Sequence, residues 1–270
     1  MNRIQHLATG DATPDADCPP VFVEAGGYEH TEYDAPLAFF SPLHYERNYS
    51  YPLIVWLHGE GDDERQLKRV MPLVSMRNYV AVAARGTISP GDAAAGAVDP
   101  ERRSCAWSQT REDILLAEHR VFAALDAATC RFNVAASRVF VAGVGCGGTM
   151  ALRLALDHPT VFAGVASFGG PFPTGHNPLG RLAEARRLKV LLATGRDSME
   201  YPQESVCQHL RLFHVAGMSV CLRQYPGCDE LSPSKLADMD RWIMDQIIAP
   251  PAATEDESSA SSDAGSERRR

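Results

Sequence analysis

Apolar positions along the chain fall into short continuous runs separated by stretches of helical period. PLAFFSPL from Pro36, PLIVWLH from Pro52, YVAVAA from Tyr79, VFVA from Val139, VFAGVASF from Val161, KVLLAT from Lys189 and Ser219 to Tyr225 read as strands. Runs of this kind, with few polar interruptions, suit strands covered on both faces. VFVEA, from Val21, reads as a further opening strand, which with PLAFFSPL could form a hairpin across the sheet edge. Between the runs, helical spacing predicts helices over Glu64–Met76 (Leu67, Val70, Met71, Val74) and over Arg111–Ala128. In the second, Ile114, Leu115, Val121, Phe122 and Leu125 are assigned to one side. A third helix carries Met150, Leu152, Leu154 and Leu156 and closes at Asp157, His158 and Pro159. Further helices are expected at Arg181–Leu188, Glu204–Ala216 and Ser234–Ile248, the last containing Trp242. This alternation predicts a single α/β domain: a mainly parallel central sheet with helices on both faces.

The ends read differently. Residues 1–20 mix Pro, Asp and Thr and are expected to be a flexible N-terminus; residues 250–270 are Ser-, Ala- and acid-rich and are expected to be disordered. The domain between them is assigned to 21–249. At 45% hydrophobic and 22% charged residues the composition is globular, and a formal net charge of -8 argues against a nucleic-acid or anionic-membrane surface. No apolar run is long enough to span a bilayer, and MNRIQHLATGDATPDADCPP lacks a signal-peptide core. Seven scattered cysteines suit free thiols in a reducing compartment, so a cytoplasmic location is the expectation. No cofactor is expected, and the oligomeric state stays open.

The chemistry concentrates at Val139–Leu156, where a strand turns into a helix over Gly143, Gly145, Gly147 and Gly148. That is the shape of a nucleophile elbow, in which G-x-S-x-G places a serine between two small residues. Here the central position is Gly145. The strand ending in His58–Gly59 has the form of an oxyanion loop, in which a backbone N–H after the strand meets a substrate carbonyl. The long Gly- and Ala-rich loop from Gly86 to Thr110 would lie at the same sheet edge, and its Trp107 either lines a pocket or anchors the loop.

LIVWLHGEGDD, SRVFVAGVGCGGTMALRLAL, FAGVASFGGPFP, KVLLATGRDSMEYPQE and LRQYPGCDELSPSKLADMDRWI follow one another in an order that resembles a known family. It is the phospholipase/carboxylesterase branch of the α/β-hydrolases, which includes acyl-protein thioesterases. The likeness spans Leu37 to Ile248. It implies the α/β-hydrolase fold and a Ser–acid–His triad. Carried onto this chain, the triad positions fall on Gly145, Ser198 (with Asp197 one residue early) and Asp229. Glycine offers no nucleophile, serine no charge and aspartate no imidazole. Nowhere does the chain contain G-x-S-x-G, and no histidine follows His214. The expected function is therefore a catalytically degenerate esterase or thioesterase relative. It would bind a small acyl or carboxylate ligand near His58, Gly59, Cys146 and Trp107, or a protein partner, which could be an active homologue held through the tail. The alternative is an active hydrolase with Cys146 as nucleophile and His58 as base. A metal site of Cys146, Cys228, His58 and Asp229 is weaker, because no short-spaced ligand pair is present and no metal is expected.

Overall fold

The computed structural model describes residues 35–88 and 106–248. Its strands are β1 (Leu37–Phe40), β2 (Tyr51–Leu57), β3 (Val80–Ala84), β4 (Val134–Val144), β5 (Gly164–Phe168), β6 (Lys189–Gly195) and β7 (Val220–Tyr225). They form a seven-stranded sheet in the order β1-β3-β2-β4-β5-β6-β7. β1 is antiparallel to β3, and the other neighbouring pairs are parallel, which is the architecture the alternation predicts. The helices are α1 (Leu67–Val74), α2 (Arg111–Arg131), α3 (Cys146–Asp157), α4 (Leu182–Ala185), α5 (Gln203–Val215) and α6 (Pro233–Ile248).

Alternation along each strand divides the core in two. Leu53, Val55 and Leu57 of β2 pack toward α2 and α3, while Ile54 and Trp56 pack toward α1 and α6. All seven residues of β2 are buried, as in a central strand covered on both sides. Each such aliphatic side chain contributes roughly 1.5–3 kcal/mol of transfer free energy. The ordering entropy of the chain offsets most of that.

Several boundaries differ from the sequence expectation, each for a local reason. The Glu64–Met76 helix opens as a 3-10 turn at Glu64–Gln66, capped by Asp63, and ends at Val74, where Ser75 is extended. β4 starts at Val134 rather than Val139. Its first residue pairs with Tyr51 before the register shifts to Leu53–Val139. β5 begins at Gly164, not Val161. On α2 the buried stripe is Ile114, Ala117, Val121, Ala124 and Ala128, whereas Leu115 is 59% exposed. Leu115 follows Ile114 by about 100° of helix rotation, and the alanines at the right spacing set the face instead. VFVEA, both chain ends beyond Ala35 and Ile248, and most of the loop between Gly86 and Thr110 lie outside the described residues.

Candidate functional site

β4 and α3 meet at Gly145, whose backbone is left-handed at φ 54°, ψ −123°. Its N–H donates to the Phe168 carbonyl at 2.8 Å, and its own carbonyl accepts from the Thr149 N–H at 3.0 Å. The corner is closed by backbone contact. A Cβ on Gly147 would collide with the carbonyl oxygens of Leu57 and His58, and one on Gly143 would stand 2.8 Å from the Leu57 carbonyl oxygen. Only glycine lets β2, β4 and α3 cross this closely. At Gly145 the opposite holds: a Cβ there would meet nothing within 4 Å.

Behind the corner, His58 is fully buried. Its Nδ1 lies 2.8 Å from the Gly59 carbonyl oxygen, and its Nε2 lies 2.8 Å from the Gly86 nitrogen. The Gly86 N–H requires Nε2 to accept, so Nδ1 carries the proton and donates to Gly59. Burial holds the imidazole pKa below its usual 6.5, so the ring is neutral. The loop after Gly59 is braced by Arg85, which grips buried Glu64 through two contacts of 2.8 Å. Trp107 is also buried, its ring centroid 5.6 Å from that of His58, and its indole N–H has no partner among the described residues.

Cys146 opens α3 and is half-buried. Burial pushes its thiol pKa up, with Glu60 and Glu200 adding to the rise, and backbone hydrogen bonds involving Trp107 and Gly147 oppose it. A thiolate here is disfavoured despite the helix N-terminus.

The loops after β6 and β7 face this corner. Asp229 accepts from the Gly195 N–H at 2.7 Å and packs where a Cβ on Gly169 would stand. Gly169 directly follows β5, and a Cβ on its neighbour Gly170 would stand 2.5 Å from the Gly145 carbonyl oxygen. Ser198 is buried and accepts from the Tyr201 N–H at 2.8 Å, whereas Asp197 is exposed. The Cys228 thiol is exposed, 3.8 Å from the Asp197 carbonyl oxygen. His209 of α5 ties the loops after β5 and β6 together, with Nδ1 2.9 Å from the Tyr201 hydroxyl and 3.4 Å from the Phe172 nitrogen. Burial lowers the His209 pKa, so it too favours the neutral ring.

Gly145, Cys146, Gly59 and Asp229 thus belong to one end of the sheet, with Ser198 beside them and His58 sealed behind. Among the described residues no group of three or more His, Cys, Asp or Glu is placed to hold a metal ion. Nor, among them, is any helix long and apolar enough to cross a membrane.

Two polar anchors escaped the sequence reading. Lys235 is buried and donates to the carbonyls of Cys228 (3.0 Å) and Glu230 (2.7 Å), clamping the turn that carries Asp229. Arg153, fully buried in α3, donates to Gln109 Oε1 at 2.8 Å and to the carbonyls of Thr174 (2.6 Å) and Gly175 (3.2 Å). Both were visible in principle as charges on apolar stripes: Lys235 shares the face of Met239 and Trp242, and Arg153 interrupts a helix otherwise buried from Gly147 to Leu156.

The profile of a family described as "Putative esterase" matches residues 29–219. The "Putative esterase NocK" of Nocardia uniformis subsp. tsuyamanensis is 32% identical over 123 residues, which is 46% of this chain and 34% of that protein. The match therefore spans about a third of that relative's length. Among solved structures, the Bacillus cereus carboxylesterase superposes with a TM-score of 0.59 at 14% identity, covering 80% of this chain and 100% of that one. The Zea mays acyl-protein thioesterase 2 gives 0.60 at 14% identity, covering 79% and 100%. At such identities these two likenesses speak for the fold.

Proposed function

Since this chain belongs to the esterase family and has the α/β-hydrolase fold, we propose that it is a carboxylesterase- or thioesterase-type member whose chemistry has lapsed. On this reading it acts by binding an acyl ligand or a protein partner at the corner above Gly145. The observation that carries the reading is the corner itself. Its backbone is left-handed and its close crossing is intact, yet the residue at its centre is Gly145, and the direction a side chain would take is open. At the positions assigned to acid and base stand Ser198 and Asp229, each engaged by a backbone N–H, and neither offers an imidazole to pass a proton to and from a nucleophile. Backbone N–H groups at the start of α3 and after β2 remain suited to a carbonyl oxygen.

The second reading, a hydrolase with Cys146 as nucleophile, has weaker support. Its thiol pKa is raised, and both nitrogens of the candidate base His58 are held by backbone groups.

Hydrolysis of short-chain p-nitrophenyl esters separates the readings. The parent is expected to match Cys146→Ala, with both at background. The triple variant Gly145→Ser, Ser198→Asp, Asp229→His is expected to gain measurable turnover. Parent activity abolished by Cys146→Ala would overturn the proposal in favour of a cysteine hydrolase.

A further inference from the structure

At the opposite end of the sheet a cleft of about 410 Å³ lies between edge strand β7 and helix α6. Lys189 and Arg223 line one wall, and Arg241, Trp242, Asp245 and Gln246 of α6 line the other. Arg241 is neutralised by Asp238, which also accepts from the Tyr225 hydroxyl. Lys189 and Arg223 are exposed and make no ion pair among the described residues. Arg186 and Arg187, just before β6, add positive charge at the same end. Asp238 and Asp245 line the same cleft, so Lys189, Arg223 and Arg241 leave it a small net positive charge, the minority sign in a chain of net charge -8.

We propose that this cleft docks the chain's own C-terminal segment through Glu255, Asp256 and Glu257. Gln246 lines the cleft and α6 ends two residues later at Ile248, so the segment leaves the domain beside the site. Glu255 is seven residues farther on. An extended chain of that length reaches roughly 23 Å, enough to return to Lys189 and Arg223. The short tether sets a millimolar-scale effective concentration, so weak contacts suffice to populate the docked state. The segment has no apolar anchor at these positions, which makes the attachment electrostatic and salt-sensitive. This inference stands independently of whether the corner at Gly145 is catalytic.

Carbodiimide coupling of the full chain, which joins a contacting amine and carboxylate as an amide, tests it directly. The reaction is run on a mixture of natural-abundance and ¹⁵N-labelled protein. Lys189 is expected to couple to Glu255, Asp256 or Glu257 within one isotopic species. The yield should fall about fivefold or more when salt is raised well beyond physiological strength. Arg223→Glu, an exposed substitution, should lower the Lys189 yield comparably while leaving the thermal midpoint unchanged. Three results would each overturn the proposal: no Lys189 bridge to these residues, a bridge indifferent to salt and to Arg223→Glu, or bridges joining the two isotopes. The last would make a second copy the occupant.

Discussion

The corner at Gly145 and the loops that face it from β6 and β7 differ in how far side chains take part in holding them. At the corner, main chain meets main chain: β2, β4 and α3 cross where Gly143 and Gly147 leave no room for a Cβ. The facing loops have a main-chain crossing of their own, where Gly195 leaves no room for a Cβ against Gly227 and Cys228, but side chains tie them as well: Asp229 on Gly195, Ser198 under Tyr201, His209 on Tyr201 and Phe172, and Lys235 across the turn. A backbone crossing tolerates almost no substitution at its glycines, whereas a side-chain contact can be exchanged for another of similar size. The shape of such a site can therefore outlast its chemistry.

Gly147→Ala should do the most damage. The added methyl collides with two carbonyls of a buried strand end, and a loss of about 3 kcal/mol in urea unfolding is expected. A change below about 1 kcal/mol would mean the crossing can give way.

Acid titration comes next and should separate the two regions. His58 and His209 both have pKa values lowered by burial, so the folded chain binds fewer protons than the unfolded one. Stability is thus full above the usual value of 6.5 and declines as pH falls below it toward the folded-state values. Because His209 is only partly buried and His58 is sealed, hydrogen exchange at Phe172 and Tyr201 should accelerate at higher pH than exchange at Gly86. The reverse order would show that the corner, not the loops, is the weaker region.

The smallest effect is expected from Gly145→Ser alone. The added Cβ meets nothing within 4 Å, leaving only the positive-φ backbone, about 1 kcal/mol of destabilisation. No ester hydrolysis should appear, since the facing turn carries Asp229 rather than an imidazole.

Much of this was legible in the chain itself, because strands covered on both faces announce themselves as apolar runs and the corner as clustered glycines. The resemblance of YPGCDEL and its neighbours to a family pattern further placed Asp229 opposite the corner. What could not be read were contacts whose partners are main-chain carbonyls far along the sequence, such as Arg153 on Thr174 and Gly175. Carbonyls have no residue type and so leave no sequence signal. The face of α2 is a related case: Leu115 is apolar but lies about 100° around the helix from Ile114, and Ala117, Ala124 and Ala128 complete the buried stripe with Ile114 and Val121.

The left-handed backbone at Gly145 also makes substitution at this position easier in one direction than in the other. For any residue with a side chain that conformation is a standing tension in the corner, and for glycine it is close to none. At such a position a change to glycine relaxes the scaffold, whereas the reverse change costs stability before any activity could reward it. Such a corner behaves as a ratchet: a lineage that has reached glycine tends to stay there.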